Sequence, residues 1–389
     1  MKMLYIANIR LPTEKAYGIQ IMKMCEAFSR AGAEVTLVIP TRANPEFNGV
    51  NPFDYYGVKQ SFALQRIKML DPWWLIRLPQ GIYIKVQGFL FIFKLYIRFF
   101  IHNKYSKYDV AYTRDEYLLP LLHNFFPRVV WEAHTLPSHP KRYIKAWQKC
   151  YRIVAITKGL KDALVKQGMD PDLIMVAPDG VDVARFQISD FRFQIRQELG
   201  LPQDKKIVLY SGHLYEWKGA HVLLEAAREF QISNFKFQSV LFVFVGGTVH
   251  DAERFKERAL KLQLTNVLIV GHRLPTEIPR WLRTADVLVI PNSALSSRSA
   301  VYTSPMKLFE YMASGVPIVA SDVAALREIL NGHNAIFFNP DNPRDCAEKI
   351  QFILKNEQAG SQRAAQARTD VAQYTWQLRA QKILNQLKL

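Results

Sequence analysis

In the segment YTSPMKLFEYMASGVPIVAS, residues 302–321, Pro305 is followed by Lys307 and Glu310, and Gly315 and Pro317 close the stretch before an apolar run. Proline is favoured at the first position of a helix, where its missing N–H costs nothing. The next amides, those of Met306, Lys307 and Leu308, then point outward, and a helix start with open N–H groups attracts an anion such as phosphate. Lys307 adds a full charge. Glu310, one turn further on, would repel that phosphate, so its carboxylate must serve another group. Two hydrogen bonds from the vicinal hydroxyls of a ribose suit it. A nucleoside diphosphate meets both needs, although a capped helix with a surface glutamate reads the same from these residues alone. The neighbouring loops favour the ligand. SGHLYEWKGAHVLLEAA sets Gly212 and His213 after one apolar run and Lys218 with Gly219 at the next helix start, and VGGTVHD offers Gly246 and Gly247, where backbone can approach a ligand closely.

Such loops need elements to hold them. MLYIAN (3–8), the helical pattern GIQIMKMCEAFSRAG and EVTLVIP (34–40) form a βαβ unit, and DVAYT, RVVWEA, RIVAIT and LIMVAP continue it. After a charged, broken stretch at 183–205 a second series begins: KIVLYSG, SVLFVFVGG, NVLIVG, DVLVIP, VPIVAS and NAIFFN. Apolar runs alternating with helical segments predict two Rossmann-like α/β domains with buried parallel sheets, over residues 1–183 and 184–370, and a final helix within 371–389 that returns to the first domain. Functional residues then belong in loops after strands, where Gly18, Gly212, Gly246, Gly247 and Gly271 are expected.

The composition is globular, with 49% hydrophobic and 22% charged residues among 389. Cys25, Cys150 and Cys346 lie too far apart for a disulfide framework or a zinc motif, which fits a reducing compartment. MKMLYIANIR shows no apolar core with a cleavage site, so a cytoplasmic place is expected. The net charge is +17, and residues 59–107 hold nine Lys or Arg (Lys59, Arg66, Lys68, Arg77, Lys85, Lys94, Arg98, Lys104, Lys107) against Asp71 alone. An anionic surface is the partner this implies. Within that stretch GIYIKVQGFLFIFKLYIRFF has the length of a bilayer span, but Lys85, Lys94 and Arg98 interrupt it. On a helical wheel Gln87, Lys94, Arg98 and His102 share a side, which reads as an amphipathic helix packed on a sheet or touching anionic lipid. No nucleic-acid-binding motif accompanies the charge. DPD at 170–172 follows Gly168 and reads as a turn, His123 and His139 as ordinary surface or core histidines. Glu132 shares a strand face with His134 and could orient its imidazole.

In the order AYGIQIMKMCEAFSRAGAEVTLV, WEAHTLP, PDGVDVARF, SGHLYEWKGAHVLLEA, VGHRLPTEIPRWLRTADVLVIP and SPMKLFEYMASGVPIVAS, nearly the whole chain resembles the retaining nucleotide-sugar glycosyltransferases of family 4 (group 1), with two Rossmann-like domains facing across a cleft in the GT-B architecture. The resemblance implies roles by position. Gly18 lies in a glycine loop beside donor phosphate and acceptor, His134 near the transferred sugar, Lys218 on the diphosphate, Glu310 on the ribose, and Gly271, His272 and Arg273 where backbone meets the nucleobase. Two positions depart from the family. His213 stands where arginine is frequent, which weakens one phosphate contact or makes it pH-dependent, and Tyr302 replaces the first glutamate of the E-x7-E motif, which puts the contact to the donor sugar in doubt.

The expectation is a retaining transferase that carries a sugar from a UDP- or GDP-sugar to a glycan or lipid-linked acceptor in cell-surface polysaccharide synthesis, peripheral at the inner face of an anionic membrane. No cofactor and no metal are expected, because lysines would meet the leaving-group charge. A nucleotide-sugar epimerase and a catalytically degenerate partner subunit are the alternatives. A nicotinamide oxidoreductase is disfavoured, since the first βα turn lacks G-x-G-x-x-G.

Overall fold

The computed structural model describes residues 1–42, 44–71, 80–101, 107–188, 191–232 and 240–387. The chain forms two compact units, Met1–Pro178 joined by Trp376–Leu389, and Asp179–Thr375. The boundaries read from the sequence were 183 and 370, so each crossing lies five residues from that reading.

The first unit holds β1 (Lys2–Ile6), β2 (Glu34–Pro40), β3 (Ala63–Ile67), β4 (Val110–Thr113), β5 (Val129–Ala133), β6 (Arg152–Ala155) and β7 (Ile174–Val176). They lie in the order β3-β2-β1-β4-β5-β6-β7, all pairs parallel. Six of these strands are the apolar runs named above. The seventh, β3, was not read from the sequence. It is an edge strand, ALQRI, mostly exposed or half-buried, so it carries no apolar run to notice. The sheet order reverses between β1 and β4, and open α/β sheets take ligands beyond the strand ends at such a point.

The second unit holds β8 (Lys206–Ser211), β9 (Val240–Val245), β10 (Val267–Gly271), β11 (Val287–Ile290), β12 (Ile318–Ser321) and β13 (Ile336–Phe338), in the order β10-β9-β8-β11-β12-β13, again parallel throughout. Its central strands, β9, β8, β11 and β12, are buried on both faces. Leu209, Val243, Leu288 and Ile318 face one apolar layer, while Val208, Phe242, Val287 and Val319 face the other. Both units are therefore α/β doubly wound sheets.

In the helix Gln80–Ile101, Gln87, Lys94 and Arg98 share the polar side expected from the sequence. Of the two readings, packed on a sheet or touching anionic lipid, that side serves the first through Gln87 and Arg98. Gln87 is 1% exposed, and its amide exchanges two hydrogen bonds with Asn8, at 2.8 and 2.9 Å. Arg98 is half-buried and donates to Gln65 of β3 at 3.1 Å. Tyr83, Phe91, Leu95 and Phe99 are buried on the same side, Phe99 packing against Phe125 and Phe126. Solvent meets the opposite, aromatic side. His102, Lys104 and Arg77 lie outside the described residues, as do residues 388–389 of the final segment. Among the described residues no helix is long and apolar enough to cross a membrane.

Candidate functional site

In the second unit, parallel pairing continues past the strands. The Gly212 N–H donates to Val245 and the Gly246 N–H to Gly271, both at 2.8 Å, so the loops after β8, β9 and β10 lie stacked. Gly212, Gly246, Gly247 and Gly271 have φ between +79° and +131°, which L side chains rarely adopt. A Cβ on Gly246 would stand 2.5 Å from the Gly212 carbonyl oxygen, so these two loops can meet only because Gly246 carries no side chain. Gly271 closes β10 itself, not the loop after it.

The helix Met306–Ser314 approaches the same loops. Pro305 is its N-cap residue, one place earlier than expected. The Leu308 amide is therefore spent on the Pro305 carbonyl at 2.9 Å, and only the amides of Met306 and Lys307 lack a backbone partner among the described residues. One tyrosine ties this helix to β8, and a second ties β8 to the loop that follows it. The Ser211 N–H donates to the Tyr311 hydroxyl at 2.7 Å, and the Tyr210 hydroxyl donates to the His213 carbonyl at 2.6 Å. Lys307 is 6% exposed, with Nζ 3.7 Å from the Tyr210 ring centroid and no hydrogen-bond partner among the described residues. A Cβ at Gly212 would come within 3.1 Å of that ammonium, so glycine leaves it open toward the loop.

Lys218 ends a short turn, Glu216–Lys218. Gly219 follows at φ +71°, and a Cβ there would collide with the Pro291 carbonyl at 1.6 Å. Burial lowers the Lys218 ammonium to about 8, Arg298 pushes the same way, and Glu310 opposes. Lys307 lies well below the usual lysine range, first through burial and then through Lys218. Burial raises Glu310, against Arg185, Lys307 and Lys218. Glu310 makes no hydrogen bond or close ion pair among the described residues, so its acceptor capacity is open.

Lys218, Lys307 and Glu310 thus belong to one electrostatic cluster beside Gly212 and Gly246. His213 lies flat on Tyr215, ring centroids 4.9 Å apart. Arg273 turns back on its own loop, donating to the His272 carbonyl at 2.8 Å and standing over Trp281. Gly247 packs against Leu214. Three members were missed from sequence. Arg185 sits in PDGVDVARF without a role assigned. Arg298 belongs to a π-helical turn, Arg298–Tyr302, that also contains Tyr302, and it shares the Trp217 ring with Lys218 at 5.0 and 5.1 Å. No spacing rule marks Arg298 or Trp217; only the fold brings them beside Lys218.

In the first unit His134 follows β5 directly. Its Nε2 is 2.6 Å from Glu132 Oε1, the pairing their shared strand face suggests. Nε2 donates to the carboxylate, which leaves Nδ1 as the acceptor. Glu132 is fully buried and also receives Gln20 Nε2 at 2.6 Å, the Tyr112 hydroxyl, and Arg379 at 3.2 and 3.3 Å. Arg114 holds Gln20 in turn at 2.6 Å. Burial would raise Glu132, but Arg379 and His134 outweigh it, and the carboxyl lies well below its usual range. His134 is lowered to about 4 by burial and Arg114. Glu132 pulls it up only in part, because its charge is already matched by arginine. A neutral imidazole results. Gly18 is not in a loop but in the first turn of the helix Ala16–Arg30, where a Cβ would stand 2.2 Å from the Tyr56 hydroxyl oxygen. Among the described residues no three His, Cys, Asp or Glu side chains gather as a metal site would require.

Comparison with known proteins bears on the family and the fold. Residues 18–185 match the model of Glycosyltransferase Family 4, and residues 191–370 that of Glycosyl transferases group 1. A D-inositol 3-phosphate glycosyltransferase of Streptomyces bingchenggensis is 30% identical over 214 residues, which cover 52% of this chain and 45% of that protein. A protein of the same description from Paenarthrobacter aurescens is 29% identical over 293 residues, 71% of this chain and 69% of the relative. The chain thus spans less than half the length of the first relative and about two thirds of the second. Among solved structures, Anabaena HepE in complex with UDP-glucose shares the fold at a TM-score of 0.75 and 18% identity, covering 100% of this chain and 99% of that one. WaaG, a glycosyltransferase involved in lipopolysaccharide biosynthesis, does so at 0.66 and 15%, with both chains fully covered.

Proposed function

The chain belongs to the group 1 glycosyltransferases with a family 4 amino-terminal domain and GT-B architecture, and from that premise we propose that it moves a sugar from a UDP- or GDP-sugar to a glycan or lipid-linked acceptor with retention of configuration. The observation that carries this is the buried Lys307 ammonium, without a hydrogen-bond partner among the described residues, beside the open Glu310 carboxylate: a cation and an anion placed to receive diphosphate and ribose. UDP is the first donor to test, since HepE was crystallised with UDP-glucose. In this reading the leaving diphosphate takes the proton of the incoming hydroxyl on the same sugar face. Lys218, Lys307 and the two open amides of the helix start stabilise the growing charge without a metal ion. His134, neutral and hydrogen-bonded to Glu132, positions the sugar. Cell-surface polysaccharide synthesis at an anionic inner membrane surface completes the proposal and rests on the basic excess of residues 59–107.

The test is a thermal-shift screen of UDP, GDP, ADP and their sugars, followed by transfer assays with the best donor, with and without EDTA. Acceptor arms include inositol 3-phosphate, named for the relatives, and lipid-linked glycans. A rise in melting temperature with UDP or UDP-sugar and transfer that survives EDTA are expected. Conversion of the donor to its epimer without acceptor would replace transfer by epimerisation. The absence of any nucleotide binding would leave a degenerate subunit. Activity lost in EDTA and restored by Mn²⁺ would overturn the metal-independent step.

A further inference from the structure

The helix Gln80–Ile101 carries an aromatic face that the domain does not cover. Ile82, Phe89, Phe93, Tyr96 and Phe100 recur at spacings of seven, four, three and four residues, which sets them in one stripe. Phe89 is 67% exposed, Phe93 50% and Phe100 73%. Tyr96 and Phe100 lie side by side with nearly parallel rings, 6.0 Å between centroids. At 1.5 Å per residue the stripe runs about 27 Å. Exposed apolar stretches of this extent on a globular domain mark an interaction surface.

Its chemistry selects one partner. Lys85, exposed, borders the stripe about 20° from Tyr96 on the helix circumference; Lys94, also exposed, lies about 100° beyond Phe93; and the helix has no acidic residue. Exposed aromatic rings beside lysine, on a helix free of carboxylates, fit a helix lying in the headgroup region of an anionic bilayer. The helix cannot insert across the bilayer, because its other side is pinned to the sheet by Gln87, Arg98 and Phe99. That pinned side also reaches the strand ends. Gln87 bonds to Asn8, just after β1, and the Asn8 N–H donates at 2.7 Å to Asp115, just after β4. These are the two strands between which the sheet order reverses.

We propose that the stripe Ile82, Phe89, Phe93, Tyr96 and Phe100 dips into an anionic lipid surface and sets the β1/β4 crevice against it, so that a lipid-anchored acceptor reaches the crevice from the same bilayer. This deepens the membrane part of the reading above and rests on it, but assigns the attachment to the aromatic face and gives the lysines a supporting part.

The test is flotation of the full chain with vesicles of phosphatidylcholine alone and of phosphatidylcholine mixed equally with phosphatidylglycerol, at low and high salt. Wild type is expected on the anionic vesicles, with a fraction retained in high salt. Phe89→Ser with Phe93→Ser should lower binding at least about tenfold at both salt levels. Lys85→Gln with Lys94→Gln should lower it about fivefold per charge removed, and only at low salt. Unchanged circular dichroism and UDP affinity establish that each variant is folded. Should the serine pair unfold, Phe93→Cys labelled with an environment-sensitive dye reports insertion directly, since Cys25, Cys150 and Cys346 are buried. Vesicle binding that ignores the serine pair, no binding by wild type, or a dye that stays water-exposed on vesicles would each overturn the proposal. So would loss of a wild-type dimer in the serine pair without any vesicle effect. UDP binding and transfer are read separately, so failure of either leaves this result standing, and the reverse holds too.

Discussion

Lys307 and Glu310 stand one turn apart on a single helix and meet opposite demands: among the described residues the first has no hydrogen-bond acceptor and the second no donor. If Glu310 holds the ribose, Glu310→Gln should weaken UDP binding by about 1.5–3 kcal/mol in calorimetry while the fold persists. An unchanged affinity would remove the ribose role. Lys218 gives a pH signature. Its ammonium sits at about 8 before the donor arrives. Only the protonated form attracts diphosphate, so donor affinity should hold below that pH and decline as pH rises through it. Lys218→Arg keeps its charge over that range, and the decline should vanish from a pH series of UDP binding. A decline that persists in the arginine variant would point to another group. Both residues were legible because their chemistry is local: a helix start, a charge and a spacing. The Tyr210 ring beneath Lys307 and the Arg298–Trp217 contact beside Lys218 were not, since each joins segments tens of residues apart.

At the scale of elements, alternating runs revealed twelve of the thirteen strands, because strands buried on both faces must be apolar throughout. The helix Gln80–Ile101 was harder. Periodicity shows that a helix has two faces, but when both are rich in aromatics it does not say which one meets the sheet. Gln87 faces inward because Asn8 satisfies both ends of its amide, a pairing across 79 residues that no local pattern reveals. Gly18 teaches a similar lesson. Glycine at a helix start resembles a ligand loop, yet here the Tyr56 hydroxyl occupies the space of a Cβ while clasping both the N–H and the carbonyl of Thr13. Gly18→Ala should therefore cost about 1–3 kcal/mol by overpacking. Adding Tyr56→Phe, which removes the clashing oxygen, should recover part of that loss in a denaturant melt. Additive losses in the double variant would show that the glycine serves something other than Tyr56.

For the molecule as a whole, Glu132 is the charge on which the first unit depends. Arg379→Met would leave it buried without its main cation, a loss of about 3–5 kcal/mol. Lowering the pH should shrink that loss as the carboxyl takes up a proton. Wild type responds to acid through His134 as well. The unfolded imidazole is protonated below about 6.5 and the folded one only near 4, so between those values the unfolded state binds more protons and stability falls with pH, by up to about 3 kcal/mol. His134→Gln should flatten that part of a stability–pH curve; an unaltered slope would assign it to other groups. Arg379 belongs to the last helix, Trp376–Leu387, whereas the second unit is one uninterrupted stretch. During synthesis the carboxylate of Glu132 therefore emerges 247 residues before its guanidinium partner. At about 5–20 residues per second the ribosome needs roughly 12–50 seconds to deliver it. For that interval the sheet of the first unit holds an acid without its counter-ion, while the second unit has every residue it requires. The later domain should thus mature first, and protease challenge of nascent chains stalled just before and just after Arg379 clears the exit tunnel would show the first unit gaining protection only in the longer one.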